Sequence, residues 1–340
     1  MTKHSTNGFV VWFLGLVGFM ALSPRTVHAQ QDPVWTLYMY NQALNNPAFA
    51  GSAGGTQVTF AGRNQWVGIE GAPRTFSLVG HTPSKLLHGG VGLSIMGDQL
   101  GPFRSTDVRL MYAYRLKLNP RETRESRTPY LSIGVTGGLL QKSLDGTAFR
   151  PPDNPNDPAL INQVVDQSLL DLGAGVALFG PARQYYLAVG AGHLLQPKLT
   201  NFTNQLDSLS PQSVVERSVT LTGGYRFYLR TTRGAVLEPS FFLRTTGPIT
   251  QVDLNLNLEV KPVVLGLSYR LNDAAAAILG LQASDRLFVA YSYDYTLSQL
   301  GAASGGSHEL LISYTLPPKL RRIIPQFNVR NKASRPSGGN

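Results

Sequence analysis

Four histidines, one acid-rich loop and two glycine-rich stretches are where this chain could do chemistry. His81, His88, His193 and His308 would be metal-ligand candidates if any fell at the three- or four-residue spacing that places two imidazoles on one ion. They stand far apart, so each is read as a loop or lumen residue. Asp153, Asn154, Asn156 and Asp157 in RPPDNPNDP offer the oxygen ligands of a calcium loop. The prolines, and the lack of a glycine where such a loop turns sharply, make it a solvated connection instead. GVTGGLL (134–140) and GAGVALFG (173–180) do not match a phosphate-cradling pattern; their glycines belong in strands, easing curvature or letting another backbone approach closely. Cysteine is absent, which removes disulfides, thiolate nucleophiles and thiolate metal ligands. No catalytic residue, metal or cofactor is expected.

A further set of charged side chains recurs on one parity of apolar stretches: Arg109, Arg115, Arg226, Arg230, Arg270, Asp253, Glu259, Asp294 and Glu309. Facing a lumen, they would form either a selectivity filter or ion pairs that keep the lumen shut. The second reading is preferred. Both require strands that alternate between an apolar and a polar face.

Residues 251–316 supply that alternation. Leu254, Leu256, Leu258 and Val260 oppose Asp253, Asn255, Asn257 and Glu259; Leu287, Val289, Tyr291, Tyr293 and Tyr295 oppose Phe288, Ala290, Ser292 and Asp294. A period of two marks strands, and runs of ~9–11 residues suit tilted strands crossing a bilayer. The same pattern recurs from Val58 and Phe60 onward, with clear runs at 108–118 and 219–229, and the count reaches about fourteen. The expected fold is all-β: an antiparallel outer-membrane barrel, lipid outside and polar lumen inside. A soluble β-sandwich also alternates, but long and numerous strands favour the barrel. Outside the first 29 residues no apolar run is long enough for a membrane helix, so a membrane protein of this sequence must close its sheet.

Residues 1–29 read as a signal peptide, with Lys3 and His4, an apolar core from Gly8 to Leu22, and Val27-His28-Ala29 before the cleavage point. Residues 30–56, dense in aromatics, read as an ordered segment lying in the periplasm or inside the barrel. Residues 57–316 form the barrel and 317–340 a basic tail. Short connections after even-numbered strands and long ones at 141–168 and 193–214 place both termini in the periplasm. On that map basic side chains collect on the periplasmic face: Lys85, Arg121, Arg124, Arg127, Arg183, Arg233, Lys261 and Arg286, then Lys319, Arg321, Arg322, Arg330, Lys332 and Arg335 in a tail without an acid. Asp98, Asp145, Asp153, Asp157, Asp166 and Asp207 fall in the outer loops. The basic face would dock an acidic partner or lie over anionic lipid headgroups. Nucleic acid is not an expected partner of an exported barrel. Trp66, in Arg63-Asn64-Gln65-Trp66 after the first strand, is either a recognition residue at the outer mouth or an interfacial aromatic; the second reading is preferred.

Several strings together resemble the PorP/SprF family, membrane proteins of the type IX secretion system and of gliding motility in Bacteroidota. They are QDPVWTLYMYNQALNNPAFAGS (31–52), RNQWVGIEGAPRTFSLVGHTP (63–83), VGLSIMGDQLGP with YAYRLKL (91–118), and DLNLNLEV, GLSYRLNDAAAAILGLQ, YSYDYTLSQL and SGGSHELLISYTL (253–316). The family's Asn-Pro-x-Tyr-Ala-Gly stands here as Asn46-Pro47-Ala48-Phe49-Ala50-Gly51. The resemblance implies a non-enzymatic outer-membrane barrel that works with periplasmic ring and lipoprotein subunits of the secretion machine and supports secretion or surface attachment of adhesin cargo. The basic tail (Lys319, Arg321, Arg322, Arg330, Lys332) and, on the less favoured of its two readings, Trp66 are the candidate partner contacts. The alternative is a channel for small solutes or peptides.

Overall fold

The computed structural model describes residues 32–119, 128–148, 163–199, 214–229 and 234–316. The signal peptide, the basic tail with Lys319, Arg321, Arg322, Arg330 and Lys332, and Arg121, Arg124, Arg127, Asp153, Asn154, Asn156, Asp157, Asp207, Arg230 and Arg233 lie outside these residues.

The sheet has fifteen hydrogen-bonded segments. Two of them, Ser218–Tyr225 and Phe227–Tyr228, pair with the same neighbour and are separated only by Arg226, so they are one strand and the barrel has fourteen. In chain order these are β1 (Thr56–Asn64), β2 (Arg74–Ser84), β3 (Gly89–Leu100), β4 (Phe103–Lys117), β5 (Tyr130–Asp145), β6 (Val164–Phe179), β7 (Tyr185–Gly192), β8 (Ser218–Tyr228), β9 (Val236–Thr246), β10 (Ile249–Val260), β11 (Val263–Arg270), β12 (Ala274–Gln282), β13 (Leu287–Thr296) and β14 (Ser307–Leu316). Each pairs antiparallel with its sequence neighbours. The wall closes where β1 meets β14, from Thr56 opposite Leu316 to Asn64 opposite His308. Every strand has a neighbour on both sides, the condition for a sheet in lipid, although β6 pairs with β7 only from Ala174 to Phe179.

The register obeys the alternation in the sequence. Leu110, Leu139, Leu170, Leu267 and Leu279 point out of the wall, while Asp253, Asn255 and Asn257 on β10 point in and are buried. Outward aromatics gather at two levels: Tyr114, Tyr185, Tyr225, Tyr228 and Tyr314 near one rim, Phe76, Tyr269, Tyr293 and Tyr295 near the other. These are the two interfacial girdles of a membrane barrel. The rim where β1 begins and β14 ends is termed here the terminal end, and the opposite rim the loop end. Connections 146–163 and 193–217 leave from the loop end. β4, β5 and β6, at 15, 16 and 16 residues, exceed the ~9–11 that cross a bilayer. Leu140 and Leu169 on their inner face are buried against Val215 and Leu199 of the connection that follows β7.

Inside the wall lies the chain that precedes β1. From Asp32 it runs past a 3-10 turn (Tyr38–Tyr40), one helical turn (Gln42–Asn45) and a second 3-10 turn (Pro47–Phe49). Asn46 caps that last turn, its Oδ1 accepting from Ala48 N at 2.9 Å, and Pro47 occupies the first position, where no N–H is needed. The Asn46 amide donates to Val189 O on β7 at 2.9 Å. Trp35, Leu37 and Tyr38 pack on Phe242, Ile278, Ala290 and Leu311, and Phe49 packs on Phe179. Apart from the Leu140–Leu169–Val215 cluster, the hydrophobic core of the described residues is therefore the contact between the segment before β1 and the barrel wall.

Candidate functional site

Two ion-pair clusters hold this plug at the loop end of the lumen. The larger one centres on Thr36. Arg63 is the inward-facing partner of Glu309 across the closing seam, and Arg270 of β11 stands opposite Asp253 of β10. Arg63 bonds Asp294 at 2.8 Å and Glu309 at 3.0 Å; Arg270 bonds Asp253 at 3.1 Å. The Thr36 hydroxyl donates to Asp294 at 2.6 Å and accepts from both guanidinium groups at 3.1 Å. The amides of Thr36 and Leu37 donate to the two oxygens of Glu309, at 2.8 and 3.1 Å. Glu309 and Asp253 have no solvent exposure and Asp294 has 1%. Charges so deep are tolerated because each is paired and hydrogen-bonded.

The second cluster takes the start of the plug. His193, just past β7, lies 3.2 Å from Asp32 and 3.1 Å from Asp171. Arg109 bridges Asp171, at 3.1 Å, to Asp107. Arg244 donates to Pro33 O at 2.8 Å and also binds Asn45. Burial lowers the His193 pKa, but the carboxylates of Asp171 and Asp32 outweigh it and raise it to about 9. Burial raises that of Asp32, yet the hydrogen bond and charge of His193 hold it below the usual carboxylate range. The His193 contribution is complete below the ordinary histidine pKa of about 6.5 and is lost as pH climbs through about 9. The Asp32 contribution disappears only in acid. Iodide quenching of Trp35, in a mature chain carrying Trp66→Phe, should therefore rise as pH passes 9 and stay flat in a His193→Gln variant.

Glycines make room for the other end of the plug. A Cβ on Gly90 of β3 would collide with Ala50 O, one on Gly134 of β5 with Ala48 N, and one on Gly175 of β6 with the Asn46 side chain. Around them Arg115 donates to Ala50 O at 2.7 Å and Ser132 to Ala48 O at 2.7 Å. His81 Nδ1 accepts from Gly51 N at 3.1 Å. Every strand carries an inward residue shut off from solvent, among them Ala61, Val79, Ser94, Ala113, Ser132, Asp171, Ala188, Thr222, Phe242, Asp253, Ser268, Ile278, Ser292 and Glu309. A water-filled passage along the wall would leave some of them wet.

At the terminal end the lumen opens into a vestibule of about 490 Å³. Its floor is plug residues Met39, Tyr40, Gln42 and Ala43 with Ser52 and Ala53; its wall includes Tyr186, Val264 and Phe288. Arg226 is bonded there to Glu259 at 2.6 Å and Glu238 at 3.3 Å. Lys261 and Arg286 stand exposed on its rim.

Of the inward charges seen in the sequence, Arg226 and Arg270 pair with acids of the same set, Arg109 with Asp107 and Asp171, and Arg115 with the plug backbone. Sequence reasoning missed Arg63, Thr36, Asp107 and Asp171. The parity of Thr59, Ala61 and Arg63 on β1 was the available signal for Arg63. Lys85 lies exposed at the terminal end, but Arg183 turns inward to donate to Ser52 O at 2.7 Å. Trp66 is half-buried at the loop end at φ 49°, its amide donating to Ser307 Oγ at 3.1 Å. His308 corrects an expectation, being neither loop nor lumen: it lies on β14 with the outward parity of Leu310 and Ile312, 2.6 Å from the Tyr291 hydroxyl. Among the described residues no group of His, Asp and Glu could hold a metal ion.

A family model described as type IX secretion system membrane protein PorP/SprF matches residues 27–314. No curated protein matches the chain. Among solved structures, Omp33 of Acinetobacter baumannii is 11% identical, with 77% of this chain and 98% of that one covered at a TM-score of 0.40. A FadL homologue of Pseudomonas aeruginosa is 13% identical over 80% of this chain and 93% of that one, at 0.41. The KdgM porin is 8% identical over 76% and 99%, at 0.38.

Proposed function

The chain belongs to the PorP/SprF family of type IX secretion system membrane proteins, and on that premise we propose that it acts as a plugged anchor in the outer membrane. It is not a conduit and not a catalyst. It fixes periplasmic ring and lipoprotein subunits of the machine to the membrane and so supports the secretion or surface attachment of adhesin cargo, including cargo of gliding motility. The observation that carries this reading is the occupied lumen: buried ion pairs and plug backbone meet the wall on all sides, leaving only the rims for interaction. The long connections at the loop end suit the exterior, which turns the terminal end, and the tail that leaves it after Leu316, toward the periplasm. Basic Lys85, Lys261 and Arg286 on that rim, with Lys319, Arg321, Arg322, Arg330 and Lys332 beyond it, favour an acidic partner or anionic headgroups. Trp66 faces the other side, half-buried against the loop before β14, and suits an interfacial aromatic.

The test pairs two measurements on protein from detergent-solubilised outer membrane. Affinity purification should recover periplasmic secretion subunits and lose them when residues 317–340 are deleted. The same protein in planar bilayers should pass no steady current. Steady conductance from the intact protein, with nothing co-purifying, would support the solute-channel alternative instead.

A further inference from the structure

We infer that the terminal-end vestibule is a binding site for an acidic peptide segment with apolar side chains, contributed by a periplasmic protein. This rests on the reading that the terminal end faces the periplasm. Its size, about 490 Å³, falls within the range of cavities that take a ligand, and its lining is mostly polar around one aromatic patch. Where the floor meets the wall the lining is aromatic: Tyr40 of the plug and Phe288 of β13 lie 4.8 Å apart between ring centres, and Met39 and Tyr186 also line the vestibule, all half-buried rather than sealed.

The charges divide by depth. Arg226 is already satisfied by Glu238 and Glu259. At the rim Lys261 and Arg286 are different: neither pairs with a carboxylate among the described residues, and both are exposed. They are held side by side, since Gln282 N donates to Pro262 O at 2.7 Å and joins the two turns. Asp285 is the acid beside them at this rim. A segment that sets an aromatic or aliphatic side chain on the Tyr40–Phe288 floor would bring its flanking carboxylates to Lys261 and Arg286. The chain's own tail starts close by, but its six Lys and Arg residues and no acid would place like charges together. Because the floor belongs to the plug, the occupant would touch the plug directly.

The probe is a fluorescein-labelled hexapeptide, Glu-Phe-Glu-Leu-Glu-Phe, titrated by anisotropy into the purified mature protein, with a counterpart carrying lysine for each glutamate. The acidic peptide should bind and the lysine peptide should not. Lys261→Glu with Arg286→Glu should weaken binding at least tenfold, and Phe288→Ser should weaken it at unchanged salt dependence. Unchanged heat-modified migration in gels keeps misfolding out of the comparison. Equal binding of both peptides, or no effect of the double variant, overturns the proposal. So does binding that appears only after residues 317–340 are deleted, which would make the tail the occupant. No secretion subunit is present in this assay, so its failure beside a successful affinity purification removes the vestibule site and leaves the anchor standing.

Discussion

Arg63→Ala should release the loop-end half of the plug and lower the stability of the whole barrel. The guanidinium is the shared partner of Asp294 and Glu309 and a donor to Thr36. Without it two carboxylates remain side by side in a dry site, with Arg270 as the nearest cation, 3.6 Å from Asp294. Removing one member of such a buried set costs about 3–5 kcal/mol. The expected result is a clear drop in the temperature at which the folded band converts to the unfolded one in gels, together with new protease cuts near Trp35. Thr36→Val should lower it less, and the double variant should fall well short of the sum, because both act through one network. Arg226→Ala is the contrast: that pair is a quarter to a third exposed, and its loss should be worth ~1 kcal/mol or less. Equal shifts for Arg63→Ala and Arg226→Ala would mean that the Thr36 cluster does not hold the plug.

The second large effect is expected from Gly134→Val. A side chain there would drive into the backbone at Pro47 and Ala48. That backbone is pinned by Ser132, Arg115 and the Asn46 cap, so it cannot retreat far enough to turn the overlap with Ala48 N into ordinary contact. Overpacking of this kind costs about 1–3 kcal/mol even where neighbours yield; here the 46–51 turn should leave its slot. Stepwise conductance should then appear in bilayers where the parent is silent. Gly62→Ala sits on the outer face with only the Phe60 ring near it, at 3.8 Å, and should change neither stability nor current.

Much of the wall was legible in the sequence because lipid and lumen impose opposite demands on neighbouring residues. Leu254 and Asp253 could be assigned to their faces with no knowledge of their partners. The strand count followed in the same way, including Ala274–Gln282, whose run of alanines gave only a faint signal. The contents of the lumen were harder to read. The polar parity suggested charges that neutralise one another, yet which arginine meets which acid depends on strand register and on a segment with no periodicity. Arg63 ends the inward parity of β1, where neither Thr59 nor Ala61 carries a charge to mark the face. The glycines of GVTGGLL and GAGVALFG were expected to ease curvature or admit another backbone; only the fold could say that Gly134 meets the backbone of Pro47 and Ala48 and Gly175 the Asn46 side chain, while the others face the wall. The tail and its basic residues lie outside the described structure, so their role rests on composition.

The plug also constrains how the molecule can be made. It precedes β1, and the barrel shuts only when β1 finds β14, so the first segment synthesised must already be in place when the last strand arrives. The bonds from Thr36 to Glu309 join residues 273 apart in sequence. Closing so long a loop is entropically demanding, and contacts of this separation make folding slow. Until Ser307–Leu316 has left the export channel, the outward leucines and tyrosines have neither lipid nor a closed sheet around them. The unclosed chain thus exposes an apolar face that stays open to aggregation until the sheet shuts. An error in threading could not be repaired after closure without breaking the β1–β14 seam.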